Sequence, residues 1–244
     1  MGRNHRGAIE QRSPAADLTK VPLVVGFDGT RVSVLGEADR RQLAQICEIV
    51  HVKPGATIYR QGDEAASVYR LIRGTMKTSR RLGRTRRVLT AFLFPPDLFG
   101  LADAGCYLNG AVALSPVTAY RMPVGALERL LRRNAEIEYH FLCMACQALR
   151  EAQRHAIALT RRSAASKVAL FLDMIGHRQT ESARAGEIRI VMRRSDIAGY
   201  TGLSVEAVSR ALGALERGGV IALRNRHHVR IVDRERFDRL LSDG

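Results

Sequence analysis

Residues 193–221 read RRSDIAGYTGLSVEAVSRALGALERGGVI, and this stretch decides the fold of the C-terminal part of the chain. Ile197 and Ala198 form the inner side of a short first helix, and Gly202 supplies a tight turn. Val208, Leu212 and Leu215 then recur at i, i+4 and i+7, the period of one helical face. Ser204 is placed as the N-cap of this second helix, and Gly218-Gly219 stops it. With that inner face buried, Val205, Glu206, Ser209 and Arg210 point outward. The pattern predicts a helix-turn-helix over about residues 194–213.

The outward residues suit the reading of base edges. An arginine such as Arg210 can donate two hydrogen bonds to guanine O6 and N7. Glu206 can accept from cytosine N4 or hold the arginine in place. Ser209 lies between them on the same face. Arg193, Arg194 and Ser195 open the first helix and Ser204 the second, positions where backbone phosphates would pass. After the helices, VIAL and HVRIVD read as two strands around the basic turn RNRH, a wing in which Arg224 and Arg226 would grip phosphate. A small helical hairpin with solvated charges is the plain alternative. The strand pair and the basic residues beside it favour DNA.

Working back toward the N-terminus, Asn134 to Thr160 contains neither Gly nor Pro and reads as one long helix. Ile137, Phe141, Met144 and Ala148 recur along it at spacings of three and four. That stripe either pairs with a second copy of the helix in a dimer or packs on the chain's own preceding domain. Between 31 and 130 the texture is different. Pro54-Gly55, Gly62-Asp63, Gly74, Gly83, Pro95-Pro96-Asp97 and Asn109-Gly110 punctuate short runs rich in strand formers, which predicts an all-β sandwich or roll. A helix from Ala38 to Val50 is expected before it. Residues 1–30, rich in Arg, Gly, Ser and Pro, read as a flexible basic tail.

Composition agrees with a polyanionic partner. The chain of 244 residues carries a formal net charge of +15 and a sequence pI of about 10.7. No apolar run reaches membrane-spanning length and the N-terminus has no secretory pattern, so a cytoplasmic protein with no membrane partner is expected. Cys47, Cys106, Cys143 and Cys146 are too dispersed for a disulfide framework. Nucleophile-elbow, P-loop, dinucleotide-binding and HExxH motifs are all missing, so the sequence reads as a non-enzyme with no dedicated metal site.

The segments KPGATIYRQGD (53–63), VYRLIRGTMKTS (68–79) and VLTAFLFPPDLFGLAD (88–103), followed by 195–221, resemble the CRP/FNR superfamily of bacterial transcription regulators. Within it, Val205-Glu206-x-x-Ser209-Arg210 is similar to the FNR/FixK branch. The resemblance implies an α+β chain: a cyclic-nucleotide-type β-roll (31–130), a dimerisation helix (131–160) and a winged helix-turn-helix (161–240). It also implies a homodimer that binds a TTGAT-N4-ATCAA-like palindrome in double-stranded DNA and activates RNA polymerase, in a low-oxygen or redox response. Glu206 and Arg210 would contact the G·C pair and Ser209 the thymine side.

The family's usual ligands are not expected. Cyclic AMP needs an acidic residue after the Phe-Gly pair, where Leu101 stands, and an arginine within 111–119, where AVALSPVTA has none. An FNR-type iron–sulfur cluster needs N-terminal cysteines and one in the roll, but the tail has none and Tyr120 stands near the latter position. Cys143 and Cys146 share a helix face; further ligands such as His140 would make a metal site, and packing is the plain reading. Cys106 is a candidate redox thiol, and a thiol-responsive repressor of the same family is the alternative function. The run Lys77, Arg80, Arg81, Arg84, Arg86, Arg87 is a basic hairpin, solvated or touching flanking DNA.

Overall fold

The computed structural model describes residues 10–12, 35–83, 86–102, 104–179 and 187–242. The chain divides into two compact units, Met1–Glu151 and Ala152–Gly244. The first unit is built on two antiparallel sheets. One has the order β1-β2-β9-β4-β7, from β1 (Glu10–Arg12), β2 (Glu48–Val52), β9 (Val117–Pro123), β4 (Ser67–Arg73) and β7 (Leu98–Phe99). The other has the order β3-β8-β5-β6, from β3 (Thr57–Tyr59), β8 (Gly110–Ala113), β5 (Met76–Leu82) and β6 (Arg86–Leu93).

Strand alternation gives the first sheet two buried faces. Tyr69 and Leu71 of β4 face the roll interior with Val50, Val52, Phe99, Val117 and Ala119, meeting Met76, Leu93, Ala111 and Ala113 of the second sheet. Val68, on the opposite side of β4, joins Leu98, Tyr120 and Met122 under the helices. Those helices are α1 (Glu37–Ile46), α2 (Val124–Leu131) and the start of α3 (Ala135–Thr160). The helix expected over 38–50 therefore ends early. Ile49, Val50 and Val52 are β-branched and pair with β9, with Val50 opposite Ala119.

Inside the roll, four aromatic rings stack. Tyr59 lies 3.8 Å from Tyr107, Tyr69 lies 5.3 Å from Phe99, and the two pairs are joined by Tyr59–Tyr69 at 5.7 Å. The Tyr107 hydroxyl donates to Ser67 O at 2.6 Å. Gly100 is held at φ +81, and a Cβ there would lie 2.9 Å from Tyr69 Cδ2 and 3.2 Å from Ser67 O. The backbone next to Leu101 is thus packed directly on the aromatic stack.

Helix α3 corrects the expected dimer stripe. Ile137 and Met144 are buried in the cluster of Leu43, Val68, Tyr120 and Leu127, and Phe141 packs against the same cluster. These residues hold the helix on its own roll and are not available to a partner. Ala148 is exposed but lies outside that cluster. A different apolar set, Tyr139, Leu142, Cys146 and Leu149, runs along the other face, with Leu142 and Leu149 54% and 60% exposed. Cys143 is buried in the core, in keeping with packing. Of residues 1–30, read as a tail, Glu10–Arg12 instead form an edge strand with Gln11 opposite Val50; the rest lie outside the described residues. The basic run is the β5–β6 hairpin, where exposed Arg81 and Arg87 stand directly opposite. Arg84 and the Arg86 side chain lie outside the described residues.

One polar ring is sealed beneath α3. His140 is 1% exposed, and burial together with the nearby charge of Arg70 presses its pKa down from 6.5 to about 4. Between those values the unfolded chain binds a proton that the folded chain refuses, so stability falls as pH drops from 6.5 toward 4. Urea unfolding followed by far-UV circular dichroism should show that His140→Phe loses roughly 2 kcal/mol less than wild type between about pH 7 and about pH 5. Equal losses in the two proteins would remove His140 from the acid response.

Candidate nucleic-acid interface

The second unit combines four helices after α3 with a small sheet among the described residues. It contains α4 (Ala164–Arg178), β10 (Glu187–Arg189), α5 (Arg194–Thr201), α6 (Val205–Arg217), β11 (Ile221–Asn225), β12 (His228–Ile231) and α7 (Arg234–Ser242). The sheet order is β10-β12-β11, all antiparallel. Helix α6 packs on α4 and α5, burying Val208, Ala211, Leu212 and Leu215. Ile197 and Ala198 of α5 are buried as well. Gly202 ends α5 in the left-handed conformation, φ 66 and ψ 29, and the Leu203 N–H reaches back to Ala198 O at 3.0 Å. A side chain at Gly202 would be strained, which is why glycine makes this turn. His155, near the end of α3, stacks on Tyr200 at 3.8 Å and donates from Nε2 to Tyr200 O at 2.7 Å.

The exposed face of α6 holds Val205, Glu206, Ser209 and Arg210, as the helical period requires. Ser209 donates its hydroxyl to Val205 O at 2.9 Å. Its oxygen therefore offers lone pairs outward rather than a proton. The Glu206 carboxyl is held below the usual carboxylate range by its own backbone N–H, by the Ser204 hydroxyl and, one turn on, by the charge of Arg210. Glu206 thus stays ionised at the positive end of the helix beside the cation it would orient.

The expected phosphate contacts separate into two groups. Arg193, Ser195 and Arg226 are exposed. Arg194 is half-buried at the start of α5; burial lowers its pKa, and its Nη1 has no hydrogen-bond partner among the described residues. Ser204 has another task, because its oxygen accepts from Ala207 N at 3.1 Å while its hydroxyl faces Glu206. Arg224 is paired with Glu187 of β10 at 3.0 Å while its side chain stays 66% exposed. Sequence spacing could not show that pair, since β10 reaches the wing only through its pairing with β12. The wing turn is built by Asn225, whose side-chain oxygen accepts from His227 N at 2.8 Å. Cys106 is exposed in a loop of the first unit.

Comparison with known proteins places this geometry. Residues 49–134 match the cyclic nucleotide-binding domain family, and residues 166–240 match the Crp-like helix-turn-helix domain family. The nitrogen fixation regulation protein FixK of Bradyrhizobium diazoefficiens is 32% identical over 194 residues, covering 78% of this chain and 81% of the relative. The chain belongs to the CRP/FNR family, on its FNR/FixK side. The transcriptional activatory protein AadR of Rhodopseudomonas palustris is also 32% identical, over 209 residues, covering 84% of this chain and 86% of that protein. The structure of FixK2 from Bradyrhizobium japonicum superposes with a TM-score of 0.73 at 27% identity, covering 82% and 98% of the two chains. This CRP/FNR member is therefore a transcription regulator with a DNA-binding helix-turn-helix, and the family is not enzymatic. No described helix is long and apolar enough to cross a membrane.

Within this CRP/FNR fold, the Ser204 cap holds the first turn of the reading helix. Ser204→Ala should lower stability in urea by about 1 kcal/mol, and Ser204→Gly by only a few tenths. A Ser204→Ala protein as stable as wild type would show that the cap contributes nothing.

Proposed function

We propose that the protein acts as a homodimeric activator that reads TTGAT-N4-ATCAA-like palindromes with α6, in concert with RNA polymerase. The observation that carries this reading is the exposed Glu206, Ser209 and Arg210 face, set on a capped helix whose other side is fully buried. In this reading Arg210 forks onto guanine, Glu206 accepts from the paired cytosine, and the Ser209 oxygen lies on the thymine side. Arg193, Ser195 and Arg226 supply backbone contacts. The Lys and Arg surplus makes the affinity steeply salt-dependent.

Dimer formation is assigned to α3 through Tyr139, Leu142, Cys146 and Leu149. Their 3-4-3 spacing suits a seam between two helices. An exposed row of this kind on a helix already packed on its own domain favours a second copy. Cyclic AMP has no place in the proposed mechanism. The roll interior is occupied by the stacked Tyr59, Tyr69, Phe99 and Tyr107, Leu101 follows Gly100 where a ribose carboxylate would be needed, and residues 111–119 supply no arginine for a phosphate. An FNR-type iron–sulfur cluster has none either, since Tyr120 of β9 stands near the position where such a cluster's roll cysteine would be needed. In this reading the regulator works in a low-oxygen or redox response, as the resemblance of its recognition helix to the FNR/FixK branch implies.

A gel-shift series tests the whole reading. Wild type should bind a TTGAT-N4-ATCAA duplex far more tightly than a single half-site or scrambled DNA. Leu142→Asp should elute as a monomer and lose the advantage of the palindrome, while Ala148→Asp should keep it. Equal affinity for palindrome and scrambled DNA would refute the proposed site, and a dimeric Leu142→Asp protein would refute the seam.

A further inference from the structure

Arg70 lies on β4 directly opposite Tyr120 of β9, on the side of the sheet that faces α1 and α3. Its side chain is deeply buried, 6% exposed. Its Nε has no hydrogen-bond partner, and no carboxylate pairs with it among the described residues. His140 of α3 lies close enough to feel its charge, and both ring nitrogens of His140 also lack partners among the described residues. Cys47, which closes α1, lies near enough to Arg70 for their charges to interact.

A buried, uncompensated guanidinium costs several kcal/mol. Arg70 does not escape by losing its proton, because burial lowers its pKa only to about 10. Cys47 does not act as its counterion, because burial pushes the thiol up to about 12. His140 is neutral near pH 7 and has one N–H to give. The cluster therefore holds one fixed cation and further proton donors, and no anion. Such a donor set suits an acceptor with two oxygens in one plane, since the guanidinium fork matches that shape.

We propose that Arg70 and His140 form a binding site for a small singly charged anion with two acceptor oxygens, a carboxylate or a planar oxyanion, between the first sheet and α3. The fork of Arg70 takes both oxygens, and the free N–H of His140 donates a further hydrogen bond. The site is separate from the roll interior, because Arg70 and the stacked Tyr69 point to opposite faces of β4. Occupancy bears on α3 directly through His140, on the helix whose exposed side carries Leu142 and Leu149. The proposal stands whether or not the DNA reading does.

Thermal unfolding of the full chain, titrated with sodium formate, sodium nitrate or sodium chloride at constant ionic strength set by sodium fluoride, tests it. Formate, nitrate or both should raise Tm in a saturable way, following the linkage of a bound ligand to stability, and chloride should do so more weakly. Arg70→Met, a replacement of similar length that removes the buried charge, should abolish the response. His140→Phe, which keeps Arg70, should weaken it about tenfold and carries the test if Arg70→Met does not fold. A wild-type protein with no saturable shift from formate or nitrate overturns the site. A shift left undiminished in either folded variant does so too, since it would then arise from the basic surface. A formate response without a nitrate response assigns the site to carboxylates, and the reverse assigns it to inorganic oxyanions.

Discussion

The burial of Val208, Ala211, Leu212 and Leu215 against α4 and α5 is the constraint on which the interface depends. Once that side of α6 is fixed, the helical repeat leaves no freedom about which residues meet solvent. Gly202 sets the angle at which the helix starts, and Ser204 ties off its first turn. Val208, Leu212 and Leu215 are each worth on the order of 1.5–3 kcal/mol of burial, well above the few tenths at stake in the exposed pairs. The reading face is therefore positioned by core packing, and its own polar contacts adjust it only locally. Ser209 shows the adjustment: by donating to Val205 O it presents an acceptor to the groove.

Core packing also decides which parts of the molecule are legible in the sequence and which are not. The helix-turn-helix could be read because one amphipathic period, one glycine and one cap residue coincide within a single short stretch. Helix α3 was legible as a helix but not as an interface. Its sequence carries two apolar stripes, Ile137–Phe141–Met144 and Tyr139–Leu142–Cys146–Leu149, and periodicity alone cannot say which one meets the chain's own roll. The structure assigns the first to the roll. Helix α1 was drawn too long because Ile49 and Val50 fit a helical face as well as a strand. The Arg224–Glu187 pair and the Arg70–His140 cluster were invisible for a common reason: each joins residues far apart in sequence through strand pairing or helix docking.

The two units differ in how much chemistry they declare. The roll keeps the family's architecture, and its interior is packed with stacked aromatic rings that stabilise the domain. On the opposite face of the same sheet Arg70 is buried under α3. A buried cation with no counterion costs several kcal/mol, which a bound anion would offset. That places the interest of the sensor half outside the roll, next to the helix that carries the exposed seam.

In the proposed function Arg210, oriented by Glu206, reads the G·C pair of each half-site. A cycle of residue and base substitution measures this directly: wild type and Arg210→Ala, each titrated against TTGAT-N4-ATCAA and against the same duplex with that G·C pair changed to A·T in both half-sites. Wild type should lose about 1–3 kcal/mol per half-site on the base change, and Arg210→Ala should lose almost nothing further. Equal base-change penalties in the two proteins would contradict the assignment.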